Sequence, residues 1–197
     1  MTLPEKRASK PPDRVALAKA IEDLLLASGA ELDAETRVTP ERVAKAFAED
    51  LLDGYASDPV ETLRSSLVPA PRKGELVIAS QIDFHAMCPH HLLPYKGVAA
   101  VGYVADQWLV GFGKIAEATD ALAHRLILQE QLVHRLCDSV MAALSPLGAG
   151  VVITAEHGCM QVRGPMRRQS RITVEAWSGV FEKDGELRAS LARRAAG

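Results

Sequence analysis

The stretch ELVIASQIDFHAMCPHHLLPYKGVAAVGYV, residues 75–104, decides how the chain is read. It holds two β-rich runs, Leu76 to Phe84 and Val98 to Val104, which follow a region of helical periodicity. Between them sits Cys88-Pro89-His90-His91, answered far downstream by His157-Gly158-Cys159. Both motifs fall at the ends of expected strands, where loops gather around a rigid sheet.

Upstream, Asp13 is placed to cap a helix running to about Ser28, with Leu17, Ile21, Leu24 and Leu25 on one face and Gly29 just past its end. Thr39-Pro40 reads as a cap followed by proline at the first helical position. That helix is expected to pass through Arg42, Val43, Ala46, Phe47 and Leu51 and to end at Gly54, with a shorter one after Asp58-Pro59. Downstream, Asp106-Gln107 predicts a turn into a strand over Trp108 to Phe112. Residues 114–144 read as a helical pair broken near His124 to Leu128, stopped by Ser145-Pro146-Leu147-Gly148. Val151 to Glu156 and Ile172 to Phe181 are two further expected strands, and the tail from Gly185 a short helix. Two strands, two helices and two strands give an α+β class with helices on one face of an antiparallel sheet. The other face and both edges are left for self-association to cover, consistent with 48% hydrophobic residues.

At 197 residues the chain fits one domain with a sizeable core. Its 23 basic and 25 acidic residues give a formal charge of -2, which argues against a general nucleic-acid or membrane binder. Met1 to Pro12 is polar and basic and lacks the apolar run of a signal peptide. Three cysteines make a poor disulfide framework and fit a reducing, cytoplasmic setting where thiols meet metals. Cys137, in a Leu/Val-rich helical stretch, reads as a small buried hydrophobe.

Two thiols and up to three imidazoles have the makings of one tetrahedral zinc site. Cys88, His91 and Cys159 would supply three ligands and leave the fourth corner open, as catalytic zinc sites do. His90 and His157 then stand beside the metal, where imidazoles serve as proton carriers near neutral pH. The competing reading is a closed structural zinc with His90 or His157 as fourth ligand. Thiolate and imidazole ligands also accept iron or cobalt. His85, His124 and His134 read as satisfied polar residues.

Five motifs in order and spacing then resemble the GTP cyclohydrolase I family: Thr39-Pro-Glu-Arg-Val-Ala-Lys45, Cys88-Pro-His-His91, Val110-Gly-Phe-Gly-Lys-Ile115, Leu128-Gln-Glu130 and His157-Gly-Cys-Met-Gln-Val-Arg-Gly164. The resemblance implies the tunnelling fold, a ββααββ unit with a four-stranded sheet, assembled as a homodecamer with active sites at subunit junctions. The resemblance covers roughly Pro40 to Phe181, and along the whole chain the expectation is a flexible tail over 1–12, an N-terminal helical region over 13–70 and the catalytic domain over 71–197. The resemblance implies Zn2+ on Cys88, His91 and Cys159, with His90 and His157 catalytic. By the same resemblance Glu130, with Gln129, grips the guanine edge, and Arg42, Lys45, Lys114 and Arg163 hold the triphosphate. A carboxylate suits guanine because two neighbouring N–H donors meet a charged acceptor. The implied reaction is hydrolysis of GTP at C8, with loss of formate and formation of 7,8-dihydroneopterin triphosphate, a precursor in pterin or folate biosynthesis.

The chain departs from the family pattern at Pro89, where glutamate is usual, and at Gln131, where arginine follows the guanine-binding glutamate. Gly113 replaces a serine before the phosphate-binding lysine, and Glu117 replaces an arginine three residues after it. Ile172 to Trp177 stands where the family is rich in Thr and Ser. The Gly113 and Glu117 changes weaken the grip on a triphosphate, with Arg167, Arg168 or Arg171 as possible substitutes. The alternatives are the same chemistry on a guanine compound with fewer phosphates or on a modified purine, or a non-catalytic zinc- or pterin-binding relative. A zinc nucleobase deaminase lacks support, since neither a His-x-Glu nor a Pro-Cys-x-x-Cys segment occurs.

Overall fold

A computed structural model gives the architecture and describes residues 10–164 and 166–195. The expected 1–12 tail lies outside the described residues as far as residue 9. Helix α1 (Arg14–Ala27) begins where the Asp13 carboxylate accepts from the Val15 and Ala16 amides at 3.1 and 3.0 Å. Helix α2 (Thr39–Ala46) starts one residue earlier than expected. A 3-10 turn over Thr36–Val38 already leads into it, so Val38 takes the cap position and Thr39 is helical. Beyond Ala46 the α geometry does not continue to Gly54. A π turn (Phe47–Leu51) and a 3-10 turn (Asp53–Ala56) follow. Gly54 is required there, because a Cβ would lie 2.7 Å from the Ala121 carbonyl oxygen. Helix α3 (Pro59–Arg64) is capped by Asp58, as expected, and its Leu63 enters the core.

Strand β1 (Leu67–Pro69), not foreseen in the sequence, precedes the long strands β2 (Leu76–Met87) and β3 (Pro94–Val104). Strand β4 (Trp108–Val110) pairs antiparallel with β1 and is shorter than expected. Phe112 already opens helix α4 (Phe112–Ala123), which Gly111 precedes as cap. Helix α5 (Gln129–Leu144) follows the predicted break at 124–128. Strand β5 (Gly148–His157), the short helix α6 (Gly158–Gln161) and strand β6 (Ile172–Gly179) come next. Strand β6 stops before Phe181, because Gly179 turns left-handed at φ 62 and starts the helical turn α7 (Val180–Lys183). Helix α8 (Gly185–Ala195) closes the described chain.

The main sheet is four-stranded and antiparallel in the order β2-β3-β5-β6, with α4 and α5 against one face. This is the ββααββ unit expected of the tunnelling fold. Alternate residues Ala99, Val101 and Tyr103 of β3, with Val151 and Ile153 of β5, meet Ile115, Leu122, Leu132 and Leu136 from the helices. Each large side chain so buried contributes about 1.5–3 kcal/mol through loss of water contact. Cys137 belongs to this core, as expected, and burial pushes its thiol up to about 12. The opposite face is less bare than the sequence suggested. Leu191 and Ala195 of α8, with Phe181, cover Ala100, Val104 and Val152. The remainder of that face is a 780 Å³ cavity lined by Asp83, His85, Lys96, Thr154, Glu156 and Arg171 among others.

The sheet order explains why distant cysteines meet. Strands β2 and β5 both run antiparallel to β3, so both finish beside its first residues. Met87 pairs with Pro94, and His157 pairs with Tyr95. Cys88 and Cys159 thus leave the sheet at one end, on either side of the start of β3.

Candidate active site

After Met87 the chain turns tightly: the Leu92 amide donates to the Cys88 carbonyl at 2.9 Å, and the Cys88 amide to the Leu93 carbonyl at 3.0 Å. Leu92 takes a left-handed φ of 51 to make this turn. On the other side, Gly158 lets the chain pass close to β3, since a Cβ there would lie 2.6 Å from the Pro94 carbonyl oxygen. These two turns bring one ligand atom each of Cys88, His91 and Cys159 within 4.8 Å of one another. Cys88 Sγ and His91 Nδ1 are 3.7 Å apart. A tetrahedral zinc with bonds of about 2.3 Å to sulfur and about 2.0 Å to nitrogen places its ligands about 3.5–3.8 Å apart, so the donor set fits such an ion. Burial, then the Cys88 thiol, raises the Cys159 thiol above its ordinary value. A divalent cation held by Cys88 and Cys159 would offset that repulsion and favour both as thiolates.

The three residues line a 360 Å³ cavity with His90, Tyr95, Gln129, Glu130 and His157. Cys88 is buried, Cys159 half-buried and His91 exposed, so the cluster sits at the cavity's rim. His90 is exposed, its ring 6.1 Å from that of His91 and nearly perpendicular to it. His157 is held more firmly. Its ring stacks on Tyr95 at 4.8 Å and 5°, and its Nε2 is 2.8 Å from Gln129 Oε1. Burial holds the imidazole below its ordinary value, and the Glu130 carboxylate opposes that shift. Tyr95 is fixed in turn by its hydroxyl, which donates to the Ile127 carbonyl at 3.1 Å. The segment bearing Ile127 is itself tied to the end of β2, where the Ile127 amide donates to the Met87 carbonyl at 3.2 Å. It delivers Gln129 and Glu130, in the first turn of α5, to the metal end of the sheet.

The Gln129 side chain is committed within the chain. Its side chain is 1% exposed, and its Nε2 donates at 2.9 Å to the carbonyls of both Ile153 and Ile172. With both amide hydrogens given to the sheet and the oxygen facing His157, its side chain has no N–H to offer a purine, and only its backbone amide, in the first turn of α5, is left for that task. Glu130 is exposed and lines the cavity, the placement a base-gripping carboxylate needs. The anion-holding candidates do not converge within one chain. Arg42, Lys45, Lys114 and Arg163 are absent from the cavity lining. Lys114 Nζ is instead 2.5 Å from Glu117 one turn on, and Lys45 is 3.8 Å from Glu49. Arg171 is occupied by Glu156 at 3.0 Å. Gly113 stands in open space, so no steric demand selects glycine there. Sequence reasoning missed Tyr95, which becomes visible only through the β3–β5 register.

His85 is bonded, as expected, and His124 is only partly satisfied. His85 Nε2 is 3.0 Å from the Asp50 carbonyl, and its ring lies 4.3 Å from that of His124. His124 Nδ1 is 2.8 Å from Asp53, but its buried Nε2 has no hydrogen-bond partner.

By fold and site the chain is an α+β protein of ββααββ build whose Cys88, His91 and Cys159, at two strand ends, could hold a metal ion. The sequence profile described as GTP cyclohydrolase I matches residues 17–196. The chain is 36% identical over 185 residues to the GTP cyclohydrolase 1 of Chromobacterium violaceum, covering 93% of this chain and 89% of that protein. It is 38% identical over 171 residues to that of Parabacteroides distasonis, covering 86% and 87%. With that of Bacteroides thetaiotaomicron it shares 41% over 145 residues, covering 74% and 73%. A solved structure, the archaeosine synthase QueF-Like in the apo form, aligns over 55% of this chain and 97% of that one with a TM-score of 0.46 and 20% identity. The chain belongs to the GTP cyclohydrolase I family.

Proposed function

We propose that this chain hydrolyses the imidazole ring of GTP at C8, releasing formate and forming 7,8-dihydroneopterin triphosphate. The observation that carries the reading is the convergence of Cys88, His91 and Cys159 in a cavity that also holds His90, His157 and Glu130, in a chain of this family. Cys88, His91 and Cys159 hold the metal, which we take to be zinc. Bound there, it supplies Lewis acidity that makes water a nucleophile near neutral pH. Glu130 accepts from the two neighbouring N–H groups of the guanine edge, fixing the base in the cavity. His157, stacked on Tyr95, removes a proton as water adds to C8 and returns one as a ring nitrogen leaves. His90, on the exposed side of the cluster, serves as the second proton carrier during loss of formate.

Arg42, Lys45, Lys114 and Arg163 hold the triphosphate, some of them from a neighbouring subunit. Arg163 is near enough to Cys159 to act on its charge, whereas Arg42, Lys45 and Lys114 are absent from the lining of their own chain's cavity, which supports a homo-oligomeric enzyme, a decamer in our reading, with sites at subunit junctions. Free cysteines and the absence of any helix among the described residues long and apolar enough to cross a membrane support a cytoplasmic enzyme of pterin or folate biosynthesis. The Lys114–Glu117 pair favours a second reading of the substrate's tail, in which a guanine compound with fewer phosphates is the better substrate.

The test is formate release by the metal-loaded protein from GTP, GMP and guanosine, with pterin fluorescence read after mild oxidation. Formate with a fluorescent pterin from GTP is expected. Formate from GMP or guanosine alone selects the second reading. No formate from any of the three, with metal bound, overturns both.

A further inference from the structure

We infer that Gln129 is the positioning residue of His157: it holds the imidazole by Nε2, fixes its tautomer and leaves Nδ1 as the working nitrogen. The inference deepens the reading above and rests on it for the role of His157.

Three contacts decide the matter. Gln129 Nε2 lies 2.9 Å from the Ile153 carbonyl oxygen and 2.9 Å from that of Ile172. Two acceptors at one end of the side chain identify that end as the NH2 group, because the alternative orientation would bring three carbonyl oxygens together. The other end is therefore the amide oxygen, an acceptor only, 2.8 Å from His157 Nε2. Nε2 must then carry the hydrogen, and the lone pair of a neutral ring resides on Nδ1. Among the described residues the ring makes no other hydrogen bond, so Nδ1 is left for a ligand in the cavity.

The frame around this contact is rigid. Ile153 and Ile172 belong to the adjacent strands β5 and β6, so one amide ties the first residue of α5 to two strands and to the imidazole. Tyr95, paired with His157 across the β3–β5 ladder, stacks on the ring and blocks its rotation. An imidazole fixed by one nitrogen presents the other at a constant place, the effect that partners outside the reacting atoms have on metal-site and catalytic histidines. No contact with substrate is needed for Gln129 to act, and both of its N–H groups are already committed.

The experiment compares the unmodified enzyme with Gln129→Met, Gln129→Glu and His157→Ala, reading kcat and KM for formate release together with bound metal and melting temperature. Methionine keeps the length and removes both ends of the amide. It is expected to lower kcat about a hundredfold with KM within about threefold and metal content unchanged. Glutamate facing two carbonyls stays neutral, donates to one of them and keeps a carbonyl oxygen for Nε2, so it is expected to restore at least about a tenth of the activity. A rise in KM with kcat intact in Gln129→Met would return the residue to substrate binding and overturn the proposal. So would full activity. If His157→Ala itself turns over normally, the assigned role of His157 fails rather than the hydrogen-bond assignment. That assignment is read without any variant at this position, from the 15N resonances of labelled histidine in the intact protein. An Nε2–H signal for the residue lost in His157→Ala supports it; an Nδ1–H signal overturns it even where the Gln129 variants do not fold.

Discussion

The residues around Tyr95 and those around Lys114 solve opposite problems. At the metal end, Gln129, His157 and Tyr95 interlock through hydrogen bonds to strand carbonyls and a ring stack, all within one chain. Fifteen residues before Gln129 along the helical layer begins the other pattern, in which Lys114 lies on the surface of α4 beside a carboxylate of its own helix. The first group is positioned before any ligand arrives and pays no reorganisation cost on binding. The second must surrender an ion pair before it can hold an anion. The contrast teaches that the geometry around His157 is written into the sheet register, whereas the proposed grip on the substrate's charged tail rests on surface charges that pair within their own helix.

The severest way to break that comparison is at the metal. Cys159→Ala is expected to lose bound metal and to reduce turnover at least about a thousandfold, because the open-cornered cluster keeps only one thiol and one imidazole. Metal content by mass spectrometry and formate release check it; retention of stoichiometric metal would show that another side chain completes the site. A smaller effect is expected from Glu117→Arg. Removing the carboxylate frees Lys114 and adds a second cation, so KM for GTP should fall about tenfold or more, while KM for guanosine stays level. An unchanged KM for GTP would place Lys114 away from the phosphates.

Much of this was legible in the sequence for a physical reason. The switch from helical to strand periodicity at Glu75 marked strands β2 and β3, and the stop at Ser145-Pro146 marked the end of α5. Cys88 and His91 are three residues apart in one turn, so local spacing already suggested a shared ion. What stayed hidden depends on register or on distant carbonyls. Tyr95 matters because it pairs with His157, and nothing in PYKG announces that pairing. The motif that carries Gln129 is local, while the Ile153 and Ile172 oxygens that consume its side-chain hydrogens arrive from two other strands. Strand β1 is three residues long and ends in proline, too short to carry a period and visible only through its partner β4. Leu191 covers the second sheet face from a tail helix whose placement the sequence left open.

The smallest effect sharpens the same contrast at its least obvious point. Arg171 stands at the entrance to β6 and is a natural candidate to replace the cation lost at Glu117, since arginine forks match phosphate oxygens. Its Nε is instead 3.0 Å from Glu156, and that arginine, ahead of Gln161, holds the Glu156 carboxyl below its ordinary value. The contact joins neighbouring strands β5 and β6 at the open sheet face, in the 780 Å³ cavity that also holds Lys96, not in the cavity of the thiols. Arg171→Ala is therefore expected to leave KM for GTP within about twofold and the melting temperature nearly unchanged, because exposed ion pairs contribute little. Steady-state formate kinetics and a thermal melt decide it. A tenfold rise in KM would mean that Arg171 leaves Glu156 to hold phosphate, and the loss at position 117 would then be compensated from β6. A level KM leaves Glu117 uncompensated at that position, and the preference among GTP, GMP and guanosine becomes the direct measure of how far the tail pocket has departed from the reaction centre it serves.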